Sequence, residues 1–338
     1  MPEKYLIVSL GSIGKRHLAN LRRLCPDAQI GVLRLHSALS DSLPEGVDMQ
    51  FSSLPEALAF GPSAAIIAGP ASAHLEVASA LAVAGISLLV EKPLADATLG
   101  VPALLKLCKV ADVPLLVGYN LRFLPSLLES KRLIDSGVIG RVLGVRAEVG
   151  QYLPDWRPTT RYQDSVSAQC SLGGGALLEL SHEIDYLYWM FGMPQCVSAR
   201  GGRYGELEID VEDMVTICLE YADPGRLIEI HLDFLQRAPA RGCKFIGELG
   251  TLVWNGMTDG IELFRVGGAG WERIDGYAQP ERNQMYADEL RHFLDCVHNK
   301  TQAICDGVQG YDVLTIVEAA RTSMQTGRSV LVNSYIGP

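Results

Sequence analysis

Two short stretches of this sequence carry side chains whose types and spacing suit proton and charge transfer. In the first, Lys92 stands between Glu91 and Pro93 at the end of an apolar run. An ammonium held at a strand end can stabilise a developing alkoxide, and a proline fixes the turn that follows. The plain alternative is a surface lysine before a loop. In the second, His182 has Glu179 three residues before it and Asp185 three residues after it. An imidazole titrates near neutral pH, and on a continuous helix these spacings set both carboxylates beside it on one face. His182 is therefore the candidate general base, with Glu179 or Asp185 orienting the ring or supporting its charged form. A helix histidine with incidental acidic neighbours is the competing reading.

A third stretch suits phosphate. Tyr5 to Val8 is a short apolar strand that runs into Ser9-Leu10-Gly11-Ser12-Ile13-Gly14 and then an amphipathic stretch from Ile13 to Leu24. This is the dinucleotide fingerprint with Ser9 in place of the first glycine. The turn must be tight, the backbone must approach a pyrophosphate, and the helix must aim its free N–H groups and partial positive charge at it. Gly11 and Gly14 keep the second and third glycine roles. The next strand, Ile30 to Leu35, ends in Arg34-Leu35-His36-Ser37, with no acid until Asp41. An acid there would bond the ribose hydroxyl of NAD, whereas a cation and a hydroxyl suit the 2′-phosphate of NADP. The expectation is NAD(P) with a lean to NADP, against Arg34 as a merely solvated or adenine-stacking side chain.

The elements that must position these groups change character along the chain. Up to residue 118, apolar runs alternate with helix-like stretches: Ala64 to Ala68, Ile86 to Val90 and Leu115 to Gly118 read as strands. Pro55 to Phe60 (capped by Ser53), Ala73 to Ala84 and Ala97 to Ala111 read as helices. Such alternation implies a doubly wound parallel sheet. Further on, a polar and aromatic loop from Gln151 to Gln169 precedes Gly173-Gly174-Gly175 and a long helix from Ala176 to Phe191. Consecutive strand-like runs between Val197 and Arg265 then imply an antiparallel or mixed sheet, and Tyr286 to His298 and Val308 to Gln325 close the chain as helices. The fold class is α/β: an N-terminal Rossmann domain over residues 1–121, then an α/β domain over 122–338 with a large open, mostly antiparallel sheet.

Length and composition bound the function. The 338 residues suit two domains, and 48% hydrophobic content lets each bury a core. A formal net charge of −10 argues against nucleic acid, whose binders present a basic face. No apolar run is long enough for a membrane helix. The eight cysteines are scattered with no C-x-x-C pair, and the N-terminus runs straight into a strand, so a reduced cytoplasmic protein is expected. Cys296, His298 and Cys305 match no common zinc spacing, and no metal is expected.

Several motifs together resemble the Gfo/Idh/MocA oxidoreductase family. They are Gly11 to His17, Gly69-Pro70 followed by His74, Glu91-Lys92-Pro93, Gly118-Tyr119-Asn120-Leu121-Arg122-Phe123, and Gly173-Gly174-Gly175 leading to Glu179-Leu180-Ser181-His182-Glu183-Ile184-Asp185. The resemblance implies a cofactor site at Ser9, Gly11, Ser12, Ile13, Gly14, Arg34, Gly69, Pro70, His74, Glu91 and Lys92. It implies that Lys92 reaches both the nicotinamide ribose and a substrate hydroxyl. It also implies carbohydrate-like substrates and a homodimer or homotetramer formed through the C-terminal sheet. Many relatives carry an aspartate four residues before the histidine; here that position is Leu178 and the acid is Glu179, one step closer. Asn120, Arg122, Tyr152, Trp156, Arg157, Arg161 and Tyr162 are the candidate substrate contacts, since aromatic faces stack on sugar rings and arginine forks bind carboxylate or phosphate. Two arginines in one loop hint at an anionic or nucleotide-linked substrate. The expected activity is hydride transfer between NAD(P) and a hydroxyl or keto carbon. A catalytically silent cofactor sensor and an imine or enone reductase are the alternatives.

Overall fold

The computed structural model describes residues 2–34, 42–223, 225–277 and 281–333. Leu35, His36, Ser37 and Asp41, on which the cofactor preference leaned, lie outside these residues. The chain divides into two compact units, one from Met1–Asn120 with Asn283–Leu314, the other from Leu121–Arg282 with Thr315–Ile336. By contacts within the fold, residues 283–314 group with the first unit.

The first unit begins as β1 (Lys4–Val8), α1 (Ser12–Leu24), β2 (Gln29–Leu33), β3 (Met49–Phe51), α2 (Leu54–Ala59), β4 (Ala64–Ile67), α3 (Ala71–Val83), β5 (Ser87–Glu91), α4 (Val101–Ala111) and β6 (Leu115–Gly118). Its strands form one parallel sheet in the order β3-β2-β1-β4-β5-β6. Parallel strands covered on both faces read as unbroken apolar runs, and Leu6, Ile7 and Val8 on β1 and Leu88, Leu89 and Val90 on β5 are all buried. At the start of α2 the Ser53 hydroxyl accepts the N–H of Glu56, and the Glu56 carboxylate accepts the N–H of Ser53 in return. Strand order reverses between β1 and β4, where sheets of this kind bind ligands beyond the strands' carboxyl ends.

The second unit holds α5 (Pro125–Asp135), β7 (Val142–Gly150), α6 (Ala176–Glu179), α7 (His182–Phe191), β8 (Cys196–Gly202), β9 (Met214–Tyr221), β10 (Arg226–Asp233), β11 (Ala240–Gly247), β12 (Gly250–Asn255), β13 (Gly260–Arg265) and β14 (Trp271–Ile274). α8 (Gln284–Asn299) then rejoins the first unit, where Leu290 and Phe293 pack into one core with Ile7, Leu21, Ile30 and Leu89. α9 (Gly307–Thr326) straddles the division and β15 (Val330–Leu331) ends the described chain. The second sheet runs β14-β13-β12-β11-β7-β10-β9-β8-β15, and its described pairs are antiparallel except β7 with β10. Trp254 and Tyr186 meet edge to face at its core, ring centroids 5.7 Å apart, and the indole N–H donates to Ser126 Oγ at 2.9 Å.

The helix expected from Ala176 to Phe191 is broken in two at Leu180–Ser181. The Ser181 hydroxyl donates to the carbonyl of Leu178 at 2.8 Å, and Leu180 leaves helical geometry at φ −100 and ψ 21. A serine that bonds locally to the backbone offers the chain an alternative to the helical ladder. His182 therefore opens α7 while Glu179 closes α6, and the two are not one turn apart on a continuous helix. No helix among the described residues is long and apolar enough to cross a membrane.

Candidate active site

The glycine corner after β1 has the geometry its chemistry requires. Ser9, standing where the fingerprint has its first glycine, takes the left-handed region at φ 75, and its N–H donates to the Leu33 carbonyl at 3.0 Å. A serine bears that conformation at a steric cost that glycine avoids. Gly14 is forced: a Cβ there would lie 2.2 Å from the Ser9 carbonyl oxygen. Gly11 is different, since a Cβ on it would meet nothing within 4 Å. Gly11 caps α1 with no side-chain hydrogen bond, and the first turn holds no acidic residue. Ser12 and Ile13 form that first turn. The helix start thus keeps its partial positive charge uncompensated beside an open glycine, which fits a pyrophosphate. A Cβ on Gly69 would come 3.2 Å from Ser9 Oγ, so the corner after β4 lies against the corner after β1. Pro70 caps α3 beside it, and Arg34 follows β2 with its N–H on the Phe51 carbonyl at 3.0 Å.

Lys92 follows β5 half-buried, its N–H on Glu91 Oε2 at 3.3 Å. Two residues assigned to the cofactor from sequence have their side chains engaged within the protein. Glu91 is 7% exposed and its Oε1 lies 2.6 Å from Nε2 of the buried His17. His74 is 1% exposed, and its ring nitrogens lie 2.9 Å from the carbonyls of Pro93 and Gly69. Burial lowers its pKa, against the pull of those carbonyls and of Glu91. Asn120 is buried and its side chain bonds Tyr286, whose ring carries the Arg16 guanidinium at 4.3 Å.

In the second unit, Arg122 and Asp185 form a two-point ion pair, Nε to Oδ2 at 3.0 Å and Nη2 to Oδ1 at 2.7 Å, with both side chains fully buried. Burial raises the Asp185 pKa and the guanidinium pulls it back down. This corrects two expectations. Arg122 cannot reach a substrate while it is sealed against Asp185, and Asp185 is structural first. Glu183 is likewise buried and held by Arg241 Nε at 2.9 Å, a partner that nothing in the sequence marked. Glu179 and His182 remain half-exposed. The hydroxyl of buried Ser167 donates to Glu179 Oε2 at 2.6 Å. The glycine run explains this approach: a Cβ on Gly174 would lie 2.3 Å from the Val166 carbonyl oxygen, so the loop before the run packs directly on its backbone.

The loop residues divide by burial. Trp156 meets Phe234 edge to face at 5.3 Å and donates its indole N–H to the Gln151 carbonyl at 3.1 Å. Tyr162 accepts the Glu208 N–H on its hydroxyl at 3.1 Å. Tyr152 is covered by the Arg237 guanidinium, 3.5 Å from the ring centroid, a contact absent from the sequence reading. Arg157 and Arg161 are exposed, with Arg161 a loose 3.9 Å from Asp164. Cys296 and Cys305 are buried and His298 pairs with Glu3 at 2.8 Å.

A doubly wound unit with an uncapped glycine corner, followed by a unit on a large mixed sheet, defines a two-part dinucleotide-binding protein. Residues 4–119 match the profile of an oxidoreductase family's NAD-binding Rossmann fold, and residues 131–332 match that family's C-terminal alpha/beta domain. The chain belongs to the Gfo/Idh/MocA oxidoreductase family. It is 25% identical to the scyllo-inositol 2-dehydrogenase (NAD(+)) of Bacillus subtilis over 96% of its own length and 94% of that protein. It is 30% identical to the levoglucosan dehydrogenase of Pseudarthrobacter phenanthrenivorans, but the match spans only 46% of that relative's length and 46% of this chain. The solved structure of a levoglucosan dehydrogenase in complex with NADH and L-sorbose has the same fold, with a TM-score of 0.85 and 19% identity over 98% of this chain and 99% of that one.

Proposed function

We propose that the protein is an NAD(P)-dependent dehydrogenase that moves a hydride between the nicotinamide and a hydroxyl or keto carbon of a polyol or sugar-like substrate. The observation that carries this is the uncapped, open glycine corner in a chain that matches both units of an oxidoreductase family and keeps Lys92 and His182. Bound NAD(P) would supply the hydride acceptor or donor. Gly11, Ser12, Ile13 and Gly14 would hold the pyrophosphate through backbone N–H groups, with Ser9, Gly69 and Pro70 shaping the neighbouring corners. Lys92 would stabilise the alkoxide, and His182 would take or return the hydroxyl proton. Glu179, fixed by Ser167, is the acid we assign to support His182, since Asp185 is already engaged by Arg122. Tyr152, Trp156, Tyr162 and the exposed Arg157 and Arg161 are assigned to the substrate, with Asn120 beside Lys92 in role.

NAD is the better-supported cofactor. The relative of similar full length is named for NAD(+), and a solved structural relative holds NADH, whereas the lean to NADP rested partly on residues outside the described ones. The substrate class follows the inositol and levoglucosan dehydrogenases among the relatives. The test is reduced-nicotinamide absorbance with scyllo-inositol, myo-inositol, levoglucosan and a uronate. Turnover that is lost in Lys92→Ala and falls steeply in His182→Asn supports the proposal. NADH binding without turnover of any alcohol or ketone points to the silent sensor. NADH consumption with an imine or enone that survives His182→Asn, without turnover of these alcohols, points to imine or enone reduction. A homo-oligomer formed through the large sheet is also proposed, and light scattering of the purified chain would detect it.

A further inference from the structure

We infer that His17 and His74 are positioning residues that brace the Lys92 corner from its two sides; this rests on the role proposed for Lys92. The residue before Lys92 is Glu91, and its carboxylate is held at both oxygens. Oε1 meets His17 Nε2 at 2.6 Å and Oε2 accepts the Lys92 N–H at 3.3 Å. The residue after Lys92 is Pro93, whose carbonyl lies 2.9 Å from His74 Nδ1. His17 belongs to α1, the helix whose start forms the glycine corner, and His74 also reaches the Gly69 carbonyl at 2.9 Å. Two buried imidazoles thus tie the corners after β1, β4 and β5 to one another.

The rings act by direction. A leucine would fill either position without the cost of desolvating an imidazole, so what the polar rings add is the fixed orientation of one carboxylate and two carbonyls. His17 Nδ1 is buried and has no hydrogen-bonding partner among the described residues. The ring is therefore committed to Glu91 through Nε2. The His74 ring with one N–H donates to one carbonyl at a time, and the protonated ring donates to both.

Glu289 on α8 brings a carboxylate oxygen to the same place, within 4.8 Å of His17 and Glu91, so the three could in principle share a metal ion. As they stand, His17 and Glu91 are joined directly at 2.6 Å. Two ligand atoms on a tetrahedral zinc stand about 3.3 Å apart, given bonds near 2.0–2.1 Å. His17 and Glu91 make a hydrogen bond, and an ion could sit between them only if they moved apart.

The test uses the full chain with His17→Leu, His17→Gln and His74→Leu, beside Lys92→Ala. Glutamine keeps an N–H where His17 has Nε2. In the cofactor-free protein, amide exchange at Lys92 should speed up in His17→Leu and His74→Leu and return toward wild type in His17→Gln. With cofactor, kcat should fall about 10- to 100-fold in both leucine variants, the scale of a misplacement of about 1 Å, with NADH Kd held within about threefold. His17→Gln should recover most of the rate. Unchanged Lys92 exchange and unchanged kcat in a folded His17→Leu, beside an inactive Lys92→Ala, would overturn the inference. So would a stoichiometric metal ion in the wild type that His17→Gln loses. If Lys92→Ala stays active, the functional reading fails instead, and the exchange measurement still decides on the brace. If His17→Leu does not fold, Glu91→Gln and His17→Gln carry the same comparison of exchange and rate.

Discussion

Alanine placed at Gly11 and at Gly14 should separate two jobs that one corner performs. At Gly14 the new methyl would lie 2.2 Å from the Ser9 carbonyl oxygen. A carbon and a carbonyl oxygen rest no closer than about 3.3 Å, so about 1 Å of movement is required. The obstructing atom is main chain, and Ser9 is tied to the Leu33 carbonyl at 3.0 Å, so no side chain can swing aside. Overpacking of this kind costs about 1–3 kcal/mol, and in a domain of this size each kcal/mol lowers Tm by about 2–4 °C. The same movement would displace the amides proposed for the pyrophosphate. Loss of one charge-assisted hydrogen bond, about 1.5–3 kcal/mol, weakens NADH by about 10- to 100-fold. At Gly11 the methyl meets nothing within 4 Å, and the backbone at φ −66 accepts alanine. Stability should then hold within about 0.5 kcal/mol, or rise slightly as the unfolded chain loses freedom. NADH affinity should nonetheless fall at least about tenfold, because the methyl occupies the proposed approach of the phosphates. Thermal denaturation and NADH fluorescence titration measure the two effects on the same samples. Wild-type NADH affinity in Gly11→Ala would refute the assignment of this corner to the pyrophosphate, and a wild-type Tm in Gly14→Ala would refute the packing argument.

Other parts of the molecule make separate claims. Ser9→Gly removes the steric cost of φ 75 and should raise stability by about 1 kcal/mol, read as a higher Tm; a lower Tm would show that the serine hydroxyl matters more than the strain. Arg122→Met removes the guanidinium from buried Asp185 and should cost about 3–5 kcal/mol in urea denaturation, while Arg122→Met with Asp185→Leu recovers most of it; equal losses in the two would reject the ion-pair account. His231 lies 3.3 Å from Asp233, which raises the histidine pKa, and the Asp233 pKa is lowered, against burial, by His231 together with the Gln236 amide and the N–H groups of Leu235 and Gln236. The histidine's contribution is therefore complete below its unfolded pKa of about 6.5 and lost as pH rises through the higher folded value, whereas the aspartate's is complete above about 3.9 and lost as pH falls through its lower folded value. Denaturation across pH should show the histidine's step near neutral pH disappear in His231→Gln while the aspartate's step at low pH persists through Gln236 and Leu235; an unchanged profile would rule the pair out as the source of the neutral step. Arg34→Ala should leave the Kd for NAD(H) within about threefold if the arginine does not read the cofactor, and a selective loss of NADP(H) binding would restore the preference first drawn from the sequence.

What was legible in the sequence depended on how local its cause was. The alternating apolar runs fixed the parallel sheet because each strand must be covered on both faces, and Ser53 marked a helix start because a cap needs only its own turn. Strand β3, three residues long, is too short to carry a pattern. The break at Leu180–Ser181 was missed because the apolar period of residues 176–191 continues across it, while the Ser181 hydroxyl and N–H both turn back to the Leu178 carbonyl. The site shows the same division. The glycines announced themselves by type and order. The partners Ser167, Arg241 and Arg237 did not, because a contact between residues far apart in the chain leaves no trace in the spacing of either. Arg122 and Asp185 were each read for chemistry on residue type alone, and only their pairing 63 positions apart shows that they neutralise one another.

The packing of α8 among Ile7, Leu21 and Ile30 has a bearing on synthesis. As the chain leaves the ribosome, the six parallel strands emerge first, yet the side chains of Leu290 and Phe293 that seal one face of them arrive only after the whole stretch from Leu121 to Arg282. Until then that face has Leu18 and Leu21 of α1 but lacks the cover that α8 adds. A fragment ending after β6 should accordingly be poorly soluble or chaperone-bound, and should become well behaved when residues 283–314 are supplied by a short linker. The nucleotide half would then be a closure of the chain's beginning by its end, completed late in the birth of the molecule.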